Sequence, residues 1–298
     1  MDSLVKDTVV KGSNLHTLPV ELVYRVLDHL DMQTILLSTY DICTRLNTII
    51  DTYQPYKSCT KLDLRYKNIN DEKIKHLVNG LKMNTTLTKL DLTGNEIDDE
   101  GANYMGNMLQ MNTILTELNF STNKIGDKGI QYLANALKTN TTLTDLKLIE
   151  NKIGNQGAQY LADTLKVNTT LKNLVLNANQ IDEEGTEYLA DALKINTTLT
   201  KFSLNANQIG VHGALCLANA IKTNMTLTEL HLGWANIGQQ GADYFADILK
   251  TNTTLIELDL GGNDIGDRGA LFLSNALHNN NVGYDMFHIS MIIISYRH

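Results

Sequence analysis

The chain has 298 residues, 43% of them hydrophobic and only two of them proline, which is long enough for a large core and ordered in composition. A net charge of −8 and a pI near 5.5 argue against nucleic acid or an anionic membrane as the main partner, since both need a positive field. Cys43, Cys59 and Cys216 are odd in number, far apart and in no C-x-x-C arrangement, which speaks against a disulfide framework and for a reducing, cytoplasmic or nuclear compartment.

Residues 1–13 carry no periodicity and are expected to form a disordered tail; they lack the apolar run of a signal peptide. Residues 14–56 change character. Pro19 suits a first helical turn, and Val23, Val26, Leu27 and Leu30 succeed it at i, i+3, i+4 and i+7. Asp31 can cap a second helix containing Ile35 and Leu36, and Ile42, Leu46, Ile49 and Ile50 suggest a third. Three short helices have little core of their own, so one reading is a cap over the open end of a repeat array that begins near residue 57.

The array has a clear unit. Leu143, Leu146 and Leu148, then Asn151 and Ile153, have the spacing of a short strand and its exit turn, and Ala158, Leu161, Ala162 and Leu165 then switch to helical spacing. The residue aligned with Leu146 recurs every 28 residues, at Leu62, Leu90, Leu118, Leu146, Leu174, Phe202, Leu230 and Leu258. Eight such units fill residues 57–282. Gly129, Gly157, Gly185, Gly213, Gly241 and Gly269 share one position near the helix start, where a side chain would crowd the adjacent turn. Asn140, Asn168, Asn196, Asn224 and Asn252 share another just after the helix, where Asn tolerates the left-handed conformation. Asn84, Asn140, Asn168, Asn196 and Asn252 also begin N-x-T sequons, but all five come from that turn, so the column reads as structural. Lys67 and Ala235 interrupt the asparagine column of the exit turn. Residues 283–298, with Ile292, Ile293 and Ile294, are a tail or an end cap, too short to span a membrane.

The pattern NxIGxxGAxxLAxxL, as it stands from Asn151 to Leu165, resembles the ribonuclease-inhibitor class of leucine-rich repeats. That resemblance implies an α/β leucine-rich-repeat solenoid, parallel strands concave and helices convex, which binds other proteins. The segment from Leu18 to Ile50 resembles the F-box, in Leu18-Pro19, Glu21-Leu22, Val26-Leu27, Leu30, Leu36-Leu37 and Ile42-Cys43-x-Arg45, with Leu46 where that family often has Trp. This second resemblance implies a small all-α segment docking on the adaptor Skp1 of a cullin complex, as in the substrate receptors of SCF-type ubiquitin ligases. The adaptor contacts it implies are Leu18, Pro19, Glu21, Leu22, Val26, Leu27, Leu30 and Leu36. The alternative is a scaffold or inhibitor whose N-terminal helices are only a cap. Ran-type GTPase-activating proteins use similar repeats, but the acidic C-terminal tail usual there is absent.

Nothing in the sequence points to catalysis, a cofactor or a metal. The eight histidines share no close spacing with cysteine or with one another, and no phosphate loop, nucleophile elbow or dinucleotide fingerprint occurs. Asp98-Asp99-Glu100 and Asp182-Glu183-Glu184 stand at helix starts, where negative charge is favourable. Alternation along a strand sends Asp145, Lys147 and their counterparts outward if Leu146 and Leu148 are buried. Eight strands at ~4.8 Å make a face roughly 35 Å long, enough for a folded partner. Trp234 is the single tryptophan; it sits at the edge of that face among small residues, with His231, Asn205 and Asn177 as neighbours, and these four are the expected substrate contacts.

Overall fold

A computed structural model of the chain describes residues 19–28, 30, 49–50, 53, 58–82 and 84–279. Helix α1 (Val20–Leu27) comes first. Strands and helices then alternate: β1 (Lys61–Asp63), α2 (Asp71–Leu81), β2 (Lys89–Asp91), α3 (Asp99–Leu109), β3 (Glu117–Asn119), α4 (Asp127–Leu137), β4 (Asp145–Lys147) and α5 (Asn155–Leu165). The series continues with β5 (Asn173–Val175), α6 (Glu183–Leu193), β6 (Lys201–Ser203), α7 (Gly210–Ile221), β7 (Glu229–His231), α8 (Gly238–Leu249), β8 (Glu257–Asp259) and α9 (Gly266–Asn279).

The strands form one parallel eight-stranded sheet in sequence order. The register keeps the 28-residue step throughout, so that Leu118 lies beside Leu146 and Leu146 beside Leu174. Each middle residue, from Leu62 to Leu258, is buried and its two flanking residues face away from the core, as the alternation requires. Packed helices need 8–10 Å between axes and paired strands only ~4.8 Å, so a stack of such units curves with its sheet on the inner side. One continuous core results, from Leu62 and Leu64 to Leu273 and Ala276.

Two asparagine columns stitch the stack. In the exit turns, Asn151 accepts a hydrogen bond from the Ile125 N–H (3.0 Å) and donates to the Phe120 carbonyl (3.0 Å), both in the preceding repeat. Asn95, Asn123, Asn179, Asn207 and Asn263 repeat this pattern. At the helix ends, Asn168 donates to the Leu137 carbonyl (2.7 Å) and accepts from its own Leu171 N–H (2.8 Å). The expected left-handed conformation is not found there, since none of Asn140, Asn168, Asn196, Asn224 and Asn252 has a positive φ. These positions take Asn for its amide, which bridges two repeats. The sequon asparagines are correspondingly buried, and in Asn140, Asn168, Asn196 and Asn252 the Nδ2 atom that a glycan would need is already donating to a carbonyl.

A third column works across the repeats. Asp99 lies in the first turn of α3, yet its Oδ1 accepts from Gly126 (2.7 Å) and Gly129 (2.9 Å) at the start of α4 in the next repeat. Asp71 and Asp127 act in the same way on the next helix along, and Asn155 accepts from the Asp182 N–H (3.0 Å). This explains the glycine column: a Cβ on Gly129 would lie 2.7 Å from the Asp99 carboxylate and 2.8 Å from Ile125. The caps fade further along. Glu183 reaches only the His212 N–H at 3.4 Å, and Val211 and Gln239 occupy the same position in the next two repeats. There Gly210, Gly238 and Gly266 turn left-handed, and the Gly210 and Gly238 N–H groups donate to the carbonyls of Ala235 and Asn263 in the following repeat. Where the capping carboxylate is present, Gly126 and Gly154 stay extended.

Helix α1 contributes to the same buried core as the repeats. Val23 and Leu27 are buried in the same core as Ile49, Ile50, Tyr53 and Leu62. The Tyr53 hydroxyl donates to Asp28 at 2.8 Å, and its ring stacks on Tyr24 at 5.9 Å. The rest of the expected three-helix segment, including Leu18 and Leu36, lies outside the described residues, as do residues 1–13 and 283–298. Among the described residues no helix is long and apolar enough to cross a membrane.

Candidate functional site

The outward positions of the sheet carry charge, and the register pairs much of it. Lys89 bonds to Glu117 on the next strand, Lys201 to Glu229 at 2.6 Å, and Arg65 to Asp63 at 2.6 Å. The Arg65 guanidinium holds the exposed Asp63 carboxyl down at about 2. A groove along the first four strands is lined by Lys61, Asp63, Lys89, Asp91, Glu117 and Asn119. With cations and anions intermixed, this face offers hydrogen bonds and ion pairs to a polar partner but no strongly signed field.

The edge of the sheet is different. The residue two positions past Leu64, Leu92 and their counterparts adopts a left-handed conformation in every repeat: Tyr66, Gly94, Thr122, Glu150, Ala178, Ala206, Trp234 and Gly262 all have φ between 52° and 70°. The side chain there swings out over the next repeat. Trp234 is 67% exposed, with its indole over Gly262; a Cβ on Gly262 would lie 2.5 Å from the ring. Tyr66 is 70% exposed and covers Gly94 in the same way. The packing of Trp234 is partial: one face covers Gly262 and most of the ring stays open to solvent. Tyr66 was not among the expected contacts, although it stands six whole repeats before Trp234 and, like it, is matched 28 residues on by glycine.

The other expected contacts sit near Trp234 but are partly committed. Asn177 accepts from the Ser203 hydroxyl (2.5 Å) and the Asn205 N–H (3.0 Å). Asn205 accepts from the Gly233 N–H (2.7 Å) and lies 3.4 Å from Asp259. Both tie repeats together as well as facing outward. His231 is half-buried, with its Nε2 3.9 Å from Glu257. The structure brings it together with Glu229 and Glu257, a grouping that spacing along the chain conceals.

On α1, Val20 and Leu22 are exposed at 37% and 38%, and Pro19 and Glu21 are exposed too. Leu27 is 1% exposed and Leu30 packs against the core, so these two are not free for an adaptor. The helix has one strong apolar stripe, and its Val23 and Leu27 are buried. The side chain of Val26 lies outside the described residues.

Among the described residues, the thiols of Cys59 and Cys216 show no sign of nucleophilic activation. Burial pushes Cys59 up, and burial together with the nearby Glu187 carboxylate, the smaller cause, pushes Cys216 up. The acidic clusters serve as caps: Asp98 accepts from Glu100 and Asp182 from Glu184, each at 2.8 Å.

Comparison with known families matches residues 57–160 to the TMOD/LMOD leucine-rich domain, and residues 167–190, 196–218, 223–246 and 251–274 to the leucine-rich repeat. The chain carries leucine-rich repeats. Domains of this kind bind proteins and are not enzymes in themselves. Both matches lie inside the solenoid, and neither extends to Leu18–Ile50. Two solved structures are similar. Leiomodin-1 actin-binding site 2 is 28% identical with a TM-score of 0.39, over 43% of this chain and 75% of that one. The Caenorhabditis elegans tropomodulin C-terminal domain is 12% identical with a TM-score of 0.41, over 61% of this chain and 92% of that one. No curated protein matches at a significant level.

Proposed function

We propose that the chain is a non-catalytic binding scaffold that holds a folded protein along the sheet face and its exit edge. The observation that carries this is the pair of exposed aromatics, Tyr66 and Trp234, each laid over a glycine on one edge of the sheet. Six strand spacings of ~4.8 Å separate them by roughly 29 Å, a span suited to a folded surface rather than a short peptide. Large aromatics with one face already packed lose little freedom on binding and make effective anchors. Contact is centred on the C-terminal half, on Trp234 with His231, Asn205 and Asn177.

The family match over residues 57–160 makes monomeric actin the first partner to test, because the leiomodin segment is described as an actin-binding site. Calorimetric titration should give a Kd that weakens at least tenfold in Trp234→Ala and in Tyr66→Ala with unfolding unchanged. Tight binding untouched by either change would place the contact elsewhere.

A second reading rests on exposed Val20 and Leu22, which with Pro19 and Glu21 offer α1 to an adaptor. It keeps the Skp1 and cullin assembly, with the solenoid selecting a substrate for ubiquitin transfer. Purified Skp1 should then co-elute with the chain and be lost on joint replacement of Leu18 and Pro19 by Ala. Failure of the unmodified chain to co-elute removes this reading and leaves α1 as a cap on the first repeat.

A further inference from the structure

Three potential ligands converge on the sheet face of the last two repeats. Glu229 and His231 stand two residues apart on β7, so both point outward, and Glu257 on β8 is the register partner of Glu229. Their donor atoms all lie within 4.8 Å of one another. The side chains are 25%, 25% and 38% exposed, partly shielded but open on one side. We propose that Glu229, His231 and Glu257 bind a transition-metal cation of the Zn2+ type, leaving one coordination position facing out from the sheet.

The donor set selects the class of ion. Mg2+ and Ca2+ favour six or more oxygen ligands, whereas one imidazole nitrogen with two carboxylate oxygens suits Zn2+ and its neighbours. Ligand atoms of tetrahedral Zn2+, at about 2.0–2.2 Å from the metal, lie roughly 3.4 Å apart. The present spacing therefore needs side-chain rotations on the order of 1 Å and no movement of the strands. Strand pairing fixes the backbone of all three, so little order has to be created on binding.

The surroundings agree. Asp259 is the register partner of His231, but its carboxylate already accepts from the Gly261 N–H at 2.9 Å and lies 3.4 Å from the Asn205 amide. The competing cation is Lys201, whose ammonium lies 2.6 Å from Glu229. A metal must share Glu229 with Lys201 or displace it, which makes the site weaker than its geometry allows. Elsewhere along this column the repeats carry Asp, Asn, Lys, Val or Ser, so only β7 supplies an imidazole.

The test uses the untagged full chain and Co2+ as a visible probe, with Zn2+ then added to displace it. The expected result is one ion per chain with a tetrahedral absorption band, weakened at least tenfold by His231→Ala and by Glu257→Gln. Lys201→Met, which frees Glu229, should tighten binding severalfold. Thermal unfolding of the metal-free variants should match the parent, since all four side chains are on the surface. No uptake up to millimolar Co2+, uptake unchanged by His231→Ala, or no gain from Lys201→Met would each overturn the site. None of these measurements involves a protein partner, so failure here leaves the scaffold reading standing.

Discussion

The indole of Trp234 rests on the α-carbon of Gly262, closely enough that a methyl group added to that glycine would stand 2.5 Å from the ring. Gly262 has φ +70°, but Ala178 and Ala206 occupy the same column at +52° and +55°, so alanine is compatible with the backbone. Gly262→Ala should therefore cost only about 1–2 kcal/mol in stability while lifting the indole off its seat. Fluorescence of this single tryptophan should report the displacement directly, and affinity for a partner on this edge should fall with it.

The caps passed from one repeat to the next give two changes of opposite sign. Asp127→Ala removes the acceptor for Gly154 and Gly157 and should cost about 1 kcal/mol. Val211→Asp places a carboxylate where Gly238 and Gly241 have none and should stabilise by about 1 kcal/mol. Urea unfolding of both variants checks the signs, and a destabilising Val211→Asp would contradict the explanation of the left-handed glycines.

Tyr53 gives a pH dependence. Burial, then the hydrogen bond to Asp28, pushes its phenol up to about 12, against a usual value near 10. The folded state therefore holds the proton more tightly than the unfolded state. This contribution is complete below pH ~10 and is lost as the pH rises from ~10 towards 12. Tyr53→Phe should flatten that part of a stability–pH curve while lowering stability at neutral pH by about 1 kcal/mol.

Central core and ladder residues should fail differently. Leu146→Ala removes a leucine that is 1% exposed and should cost about 2–5 kcal/mol. Asn151→Ala leaves the Ile125 N–H unpaired, at about 1–3 kcal/mol, while the Phe120 carbonyl keeps its second donor, Asn123. Amide exchange in the asparagine variant should quicken at Ile125, in the repeat before the change.

The 28-residue step made the sheet, its register and its buried leucines legible, because one strand and one helix per unit leave no freedom in how neighbours stack. What the sequence concealed lies between repeats. Asp99 reads as an acid at the start of its own helix, and only the fold shows its oxygen on the next one. Glu257 is 26 residues from His231, so no search for close spacing could join them. Leu27 fits an adaptor-facing stripe equally well until the fold shows it buried. Trp234 was visible by being unique, whereas Tyr66 is one of twelve tyrosines and stands out only in its column.

The cross-repeat carboxylates run in one direction and give out at Glu183, so the solenoid is a spring with two stiffnesses. Stretched from its ends, it should yield first at the junctions after α6, where the cross-repeat cap is weak or lacking. Those junctions carry Trp234 and His231. The edge proposed to hold a partner is therefore the part that bends, and a partner there would change the local curvature without disturbing the stiffer repeats before it.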